Sequence, residues 1–389
     1  MIGLAGGLST MMATIMQAGG IYCLFYAGWQ VYKNFNTTPL KEKVENYFAK
    51  AGLGIDDIYP SLVRYDSNKN GDLFIYTIPP GMAFSQFEKK KEGLQHIFKS
   101  EIDLWNEKNL LFIRSYSKPI PEIIPLDDTE KELNRLMDNY ELAIPIGQGI
   151  DKIYLHNLVK DPSHFLIAGT TRWGKTTFLK LVISLLMRSY TSQKVQLNLI
   201  DLKDGVSFVE FPEELPHIRN NIIEKSDTKI VVKSLLEEKK NRMDMLRNFK
   251  KENIKGTDLP WIITIIDEYA VVSDEIKDDV ITLAQQGAAA GIILMIATQY
   301  PRNDVIDKLI SVNCDVRISF YLKDSNASNV VLNNNLACSI HNKGRCIYQY
   351  GEDYEAQVPL INKQEIENIV NNNQVEQEVE TKAGGGEIL

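Results

Sequence analysis

Apolar and polar positions alternate along the chain in ways that predict most of its elements. Residues Met1 to Tyr32 carry no charge, and Ile15 to Val31 is rich in Ile, Leu, Phe, Tyr and Trp. At ~1.5 Å per residue this run suffices for one bilayer-spanning helix and not for two. Tyr26, Trp29 and Tyr32 cluster at its end as an interfacial belt does, and Lys33, Lys41 and Lys43 follow, which orients the C-terminal side to the cytoplasm. No positive region precedes the run, against a cleaved leader. A single-pass anchor over residues 1–35 at the cell membrane is therefore expected. The alternative, encouraged by Gln17 and Gly19-Gly20, is a buried or interfacial helix.

Residues 36–140 read as a small α+β domain with a helical connector. Lys41 to Lys50 has a helical pattern, and Leu73 to Ile78 alternates as a strand does before the turn Pro79-Pro80-Gly81. Phe84 to Phe98 predicts one helix with Phe87, Leu94, Ile97 and Phe98 on a side, its Lys89-Lys90-Lys91 run a solvated face. Leu110 to Ile113 is a further strand, and Asp127 to Tyr140 a charged helical connector. Residues 141–372 change character. Apolar strands at Phe165–Ala168, Val195–Ile200, Trp261–Ile266, Ile292–Thr298 and Val316–Tyr321 alternate with helical stretches, among them a long polar one from Thr228 to Lys250. Continuous apolar strands alternating with helices imply a parallel sheet covered by helices on both faces. The polar residues 373–389, with Gly384-Gly385-Gly386, are expected to be disordered.

One junction carries specific chemistry. His164 to Thr177, HFLIAGTTRWGKTT, is a short strand, a loop and the start of an amphipathic helix. It fits the phosphate-binding pattern G-x-x-x-x-G-K-[ST] in the setting that pattern needs. Gly169 and Gly174 let the backbone wrap a polyphosphate with its N–H groups inward, and the helix N-terminus favours negative charge. The loop residues Gly169, Thr170, Thr171, Arg172, Trp173, Gly174, Lys175, Thr176 and Thr177 are thus candidate nucleotide contacts, Lys175 reaching the β- and γ-phosphates of ATP and Thr176 ligating Mg²⁺.

The run Ile262-Ile263-Thr264-Ile265-Ile266-Asp267-Glu268 supplies the other half of such a site. The strand is expected to deliver Asp267 beside the phosphate loop, where it can hold Mg²⁺ through a water, and to place Glu268 to orient and polarise the attacking water. Phosphoryl transfer needs such positioning and charge stabilisation more than covalent chemistry. Gln299, at the tip of the next strand, suits a sensor of the γ-phosphate. The net charge of −8 excludes nucleic-acid binding through bulk positive charge, so any such contact must come from local loops. Cys23, Cys314, Cys338 and Cys346 form no C-x-x-C pair, which argues against a zinc site or a disulfide framework.

These motifs, in this order, resemble the FtsK/SpoIIIE-type motors. The matching pieces are GTTRWGKT, Asp201-Leu202-Lys203, Leu215-Pro216-His217, IIDEYA, LAQQGAAAGIILMIATQYP, Val316 to Phe320 and Lys343-Gly344-Arg345-Cys346-Ile347-Tyr348. Tyr76 to Phe87, YTIPPGMAFSQF, resembles the segment ahead of the motor, so that the likeness runs from about Lys41 to Val370. The resemblance implies a RecA-like P-loop ATPase in a homo-hexameric ring that moves double-stranded DNA without regard to sequence. Short length, one anchor and no following winged-helix module resemble most the TcpA-type coupling proteins of conjugative elements, whose partners would include a relaxase or other transfer-machinery proteins. The chain departs from the family in having Arg172-Trp173 for the usual Gly-Ser, Tyr300 for the Arg after Gln299, and no Arg between Asp324 and Val331. That leaves Arg317 as the residue expected to reach a neighbour's γ-phosphate. DNA contacts are expected between the second and third motor strands and after Gln299, where Arg302 and Lys308 lie. An EssC-type secretion ATPase is the competing reading; those chains carry motor units in tandem, against one here.

Overall fold

The computed structural model describes residues 40–68, 71–203 and 205–384, with side chains as far as 373. The expected anchor over 1–35 lies outside the described residues. Among the described residues no helix is long and apolar enough to cross a membrane. The chain divides into two compact units, one ending at Pro119 and the next starting at Ile120.

The first unit has a helix over residues 40–50 (α1), strands Leu62–Asn68 (β1) and Gly71–Thr77 (β2), helices Phe84–Glu88 (α2) and Lys91–Phe98 (α3), and strands Ile102–Glu107 (β3) and Leu110–Tyr116 (β4). The sheet is antiparallel in the order β1-β2-β4-β3. Val44 and Phe48 of α1, Phe87 of α2 and Leu94 of α3 pack on Phe74, Tyr76, Leu111 and Ile113 to form its core. The single helix expected over Phe84–Phe98 is two, because Lys90 leaves the helical region (φ −111°, ψ 10°). The lysine run read as a solvated face is where the chain breaks.

The second unit opens with helix Leu126–Met137 (α4). The sequence pattern places it as a connector within a small domain over residues 36–140. Instead Leu126, Leu133 and Met137 form a stripe buried in the core of the second unit, which moves the boundary to Pro119. There follow strands Ala143–Gln148 (β5), Ile153–Asn157 (β6) and Phe165–Ala168 (β7), helix Lys175–Ser189 (α5), strands Val195–Asp201 (β8) and Ile218–Ile222 (β9), and helix Lys225–Asn248 (α6). Strand Trp261–Asp267 (β10), helix Lys277–Gln286 (α7), strand Ile292–Thr298 (β11), helix Lys308–Asn313 (α8), strand Val316–Ser319 (β12) and helix Ser325–Leu332 (α9) come next. The hairpin Arg345–Tyr350 (β13) and Glu352–Gln357 (β14) and helix Lys363–Gly384 (α10) close the unit.

All ten strands form one sheet in the order β6-β5-β14-β13-β12-β7-β11-β10-β8-β9. The block from β12 to β9 is parallel, as expected. The parallel sheet is extended on the other side by strands the sequence reading did not include in it, β13, β14, β5 and β6, which pair antiparallel. Consecutive residues of the buried strands serve opposite faces. Ile263 and Ile265 face the cluster built with α4, α5 and α10, while Ile262 and Ile266 face the one built with α7, α8, α9 and the first half of α6. The stretch expected to be disordered from residue 373 follows a docked helix. Ile366, Ile369 and Val370 dock the start of α10 in the core, and the helical hydrogen-bonding pattern continues to Gly384.

Candidate nucleotide-binding site

The phosphate loop follows the strand that lies between β12 and β11. Ala168 pairs in register with Thr298 on one side and Ser319 on the other. The chain must then leave the sheet in a confined space. A Cβ on Gly169 would lie 2.7 Å from that of Phe320. Gly174 has φ +116°, and a Cβ there would meet the Gly344 backbone at 3.0 Å. Both glycines of the motif are therefore sterically required. Backbone bonds fix the loop between them: Thr170 N–H donates to Tyr321 O at 3.0 Å and Gly344 N–H to Trp173 O at 3.0 Å. Arg172 sits at φ +68°, the left-handed region. This is where the resembled motors usually carry glycine, and an L side chain there is strained. The Trp173 ring lies 4.3 Å from the Tyr321 ring, tilted by 35°, and so braces the loop from outside.

Behind the loop, α5 begins at Lys175, whose side chain is buried with its ammonium paired to the Asp267 carboxylate at the end of β10. Register sets Ile266 beside Ile296, so Glu268 stands level with Thr298. Glu268 adopts a left-handed backbone (φ 74°, ψ 68°), a conformation that persists in a non-glycine residue only where surroundings over-determine it. They do. Its carboxylate accepts from the Thr298 hydroxyl at 2.8 Å and from the Gln299 N–H at 3.2 and 3.1 Å to its two oxygens. The Gln299 side-chain oxygen in turn accepts from Thr171 Oγ1 at 2.6 Å and from Lys203 Nζ at 3.2 Å. Asp201, buried at the end of β8, holds the turn bearing Lys203 by accepting from the N–H groups of Lys203 at 3.2 Å and Ser207 at 2.8 Å.

Of these groups Thr171, Lys175 and Gln299 line a cavity of about 390 Å³. One wall is the loop from Thr170 to Arg172 and Gly174 to Thr177, with Gln299, Lys343 and Gly344; the other is Ile123, Ile124, Gln357, Val358 and Leu360. Gly169 and Trp173 shape the cavity from behind and do not line it. The hydroxyl of Thr176 and the carboxylate of Asp267 are hard oxygen donors, a set that fits Mg²⁺ held jointly with phosphate oxygens.

The remaining expected residues lie elsewhere. Arg317 lines a separate surface depression with Asp315 and Asn333. Its guanidinium donates to the carbonyls of Cys314 at 3.3 Å, Val331 at 2.9 Å and Ser311 at 2.8 Å. Arg302, paired to Asp304 at 3.2 Å, and Lys308 are exposed on the segment beyond β11. Sequence reasoning missed Thr298, Lys203 and the apolar wall. Thr298 precedes Gln299 at a strand end, and that position was the one available signal.

Comparison with known proteins agrees with this geometry. The sequence model of the FtsK/SpoIIIE family matches residues 129–352. The DNA translocase FtsK of Leptospira interrogans is 31% identical over 278 residues, covering 64% of this chain and 29% of that protein. That of Lactiplantibacillus plantarum is 28% identical over 255 residues, covering 59% and 32%. The chain thus spans about a third of the length of these relatives. Among solved structures, the pCW3 conjugation coupling protein TcpA, a monomer form with ATPγS, superposes with a TM-score of 0.60 at 25% identity over 87% of this chain and 99% of that one. EssC ATPases 2 and 3 of Geobacillus thermodenitrificans match at 0.56 and 20% identity, over 67% of this chain and 52% of theirs, a likeness of fold alone.

Proposed function

The chain belongs to the FtsK/SpoIIIE family of ATPases, and we propose that it is a membrane-anchored motor that spends ATP on moving double-stranded DNA through a homo-hexameric ring, as a coupling protein in conjugative transfer. The observation that carries the reading is one cavity lined by Lys175, Thr176 and Gln299, with Asp267 at the end of β10 paired to Lys175 and Glu268 after it bonded to Gln299. The likeness to TcpA supports the coupling role, since it extends over 87% of this chain. The uncharged stretch before Lys33 supports the anchor and a cytoplasmic motor.

The chemistry is hydrolysis of the γ-phosphoryl group of ATP. The loop N–H groups and the N-terminus of α5 receive the phosphates, and they offer Lys175 an anionic partner beside Asp267. Mg²⁺, held by Thr176 and Asp267, would supply charge neutralisation on the phosphate oxygens. Glu268 orients and polarises the attacking water, its carboxylate aimed from the Thr298 and Gln299 contacts. Head-to-tail packing of identical subunits closes naturally into a ring. In it a neighbour's Arg317 would complete the site by exchanging its carbonyl contacts for phosphate.

The test is ATP hydrolysis with and without long duplex DNA. Hydrolysis should rise with duplex of any sequence, and binding should weaken with salt as ~0.9 counterions are released per phosphate contacted. Replacing Arg302 and Lys308 by Ala should cut the stimulation, since both are exposed beyond β11 and away from the cavity. If DNA leaves hydrolysis unchanged at low salt while a secreted polypeptide raises it, the chain is a secretion ATPase.

A further inference from the structure

The wall facing the phosphate loop is apolar and comes from two segments far apart in sequence. Ile123 and Ile124 precede α4, and Val358 and Leu360 follow β14. The segments are tied together. Leu360 N–H donates to Ile124 O at 2.7 Å, and Leu126 N–H donates to Leu360 O at 3.1 Å. Arg345 holds the first segment further back. Its Nη2 donates to the carbonyls of Ile120 and Pro121, each at 3.0 Å, and its buried Nε to Gln357 Oε1 at 2.9 Å. The backbone of this wall is therefore built and fixed, and while Ile124 and Val358 are buried, two side chains are open: Ile123 is 69% exposed and Leu360 52%. Branched aliphatic groups on a fixed backbone at the mouth of a phosphate cavity gain by being covered with something flat and apolar.

We propose that Ile123 and Leu360 clamp the nucleobase of the bound nucleotide and that Arg345 positions the clamp. The proposal rests on the nucleotide reading of the phosphate loop and deepens it. A nucleoside triphosphate spans the cavity from Lys175, which takes the phosphates, to the apolar wall, which takes the ring, and the volume of about 390 Å³ lies in the range of small-ligand sites. The clamp grips by shape. The Gln357 amide is held at both ends, its Nε2 donating to Lys343 O at 2.9 Å and its oxygen accepting from Arg345 at 2.9 Å, which fixes its plane and leaves one N–H and one lone pair uncommitted. Apolar contact of this kind separates adenine from guanine weakly.

Binding of ATP, GTP and inorganic tripolyphosphate to the full chain carrying Glu268→Gln separates base from phosphate recognition. Adding Ile123→Ala and Leu360→Ala together should raise the Kd for ATP about tenfold and that for GTP by the same factor, as expected for losing apolar cover over a ring. The Kd for tripolyphosphate should change by less than about twofold, because the loop that holds it is untouched. The swap Ile123→Leu keeps the apolar area and should keep ATP binding, which guards against a folding defect in the alanine pair. Arg345→Met should weaken ATP and not tripolyphosphate, a ratio that a general loss of stability does not produce. An unchanged Kd for ATP in the alanine pair, with tripolyphosphate still bound, refutes the clamp. Failure of the unsubstituted loop to bind either ATP or tripolyphosphate refutes the nucleotide reading instead.

Discussion

Thr298 offers the sharpest test of how the site works. Its hydroxyl is buried at the end of β11 and donates to Glu268 at 2.8 Å while accepting from Tyr300 N–H at 3.1 Å. Thr298→Val keeps shape and removes both bonds. A hydrogen bond to a charged group is worth about 1.5–3 kcal/mol. If Glu268 depends on it to hold the water-orienting geometry, that loss translates into a kcat about 10- to 150-fold lower, with KM for ATP little changed because Glu268 does not hold the phosphates. Stability should fall by about 1–3 kcal/mol, since the Tyr300 N–H and one carboxylate oxygen lose a partner. Thr298→Ser restores the hydroxyl and should recover most of kcat. Steady-state hydrolysis over a range of ATP, with a denaturation curve for each variant, reads all of this. A folded Thr298→Val protein with wild-type kcat refutes the positioning role. A kcat above wild type refutes it in the opposite sense, because the hydroxyl would then be holding the carboxylate back from water.

Other perturbations address the remaining parts. Lys175→Ala should weaken ATP binding and hydrolysis together, whereas Glu268→Gln should bind ATP and stall; hydrolysis at wild-type rate in the latter would sink the assignment of Glu268. Mixing Arg317→Ala with Lys175→Ala subunits should restore some activity if Arg317 acts across a subunit boundary, and no recovery in demonstrably mixed rings confines it to the carbonyl contacts it makes within its own chain. His164 is buried with its Nδ1 accepting from Leu294 N–H at 2.9 Å, and burial pushes its pKa down from 6.5 to about 4. The unfolded chain therefore takes up the proton first as pH falls. The contribution of His164 is full above 6.5 and is lost on acidification towards about 4, on the order of 3 kcal/mol at most. His164→Asn, which keeps an acceptor and does not titrate, should flatten the dependence of unfolding free energy on pH over that window; an unchanged slope would show that other groups set it.

What the sequence disclosed depended on whether the signal was local. Phe165–Ala168 and Ile292–Thr298 are fully buried strands bounded by turn residues, and their limits match the apolar runs residue for residue. The phosphate loop and Asp267-Glu268 were equally plain, because each chemistry sits on consecutive residues. β9, Ile-Arg-Asn-Asn-Ile, was missed: it is an edge strand paired only to β8, so little of it is buried and its composition is polar. β3 was missed because its hairpin turn uses Lys108-Asn109, both at positive φ, in place of a glycine signal. The apolar wall could not be read at all. Ile124 and Leu360 meet through a pairing of residues more than two hundred positions apart, and nothing in either neighbourhood announces the other.

The same distinction bears on Gln299, which the sequence singled out for its side chain alone. Its side-chain oxygen is shared by Thr171 of the phosphate loop and Lys203 of the turn after β8. Its main-chain N–H donates to Glu268, and the chain runs on through exposed Tyr300 to Arg302. Side chain and main chain of one residue thus meet different parts of the machine. Gln299 follows a fully buried strand, which fixes the point from which the exposed chain leaves the sheet. The first groups downstream of that fixed point are the segment proposed to contact DNA, and the first across from it is the carboxylate proposed to orient water. Coupling through packed groups requires an element that both sites bias. The peptide from Thr298 to Tyr300 satisfies that requirement on geometry: it contacts the phosphate loop and Glu268 and leads directly into the exposed segment.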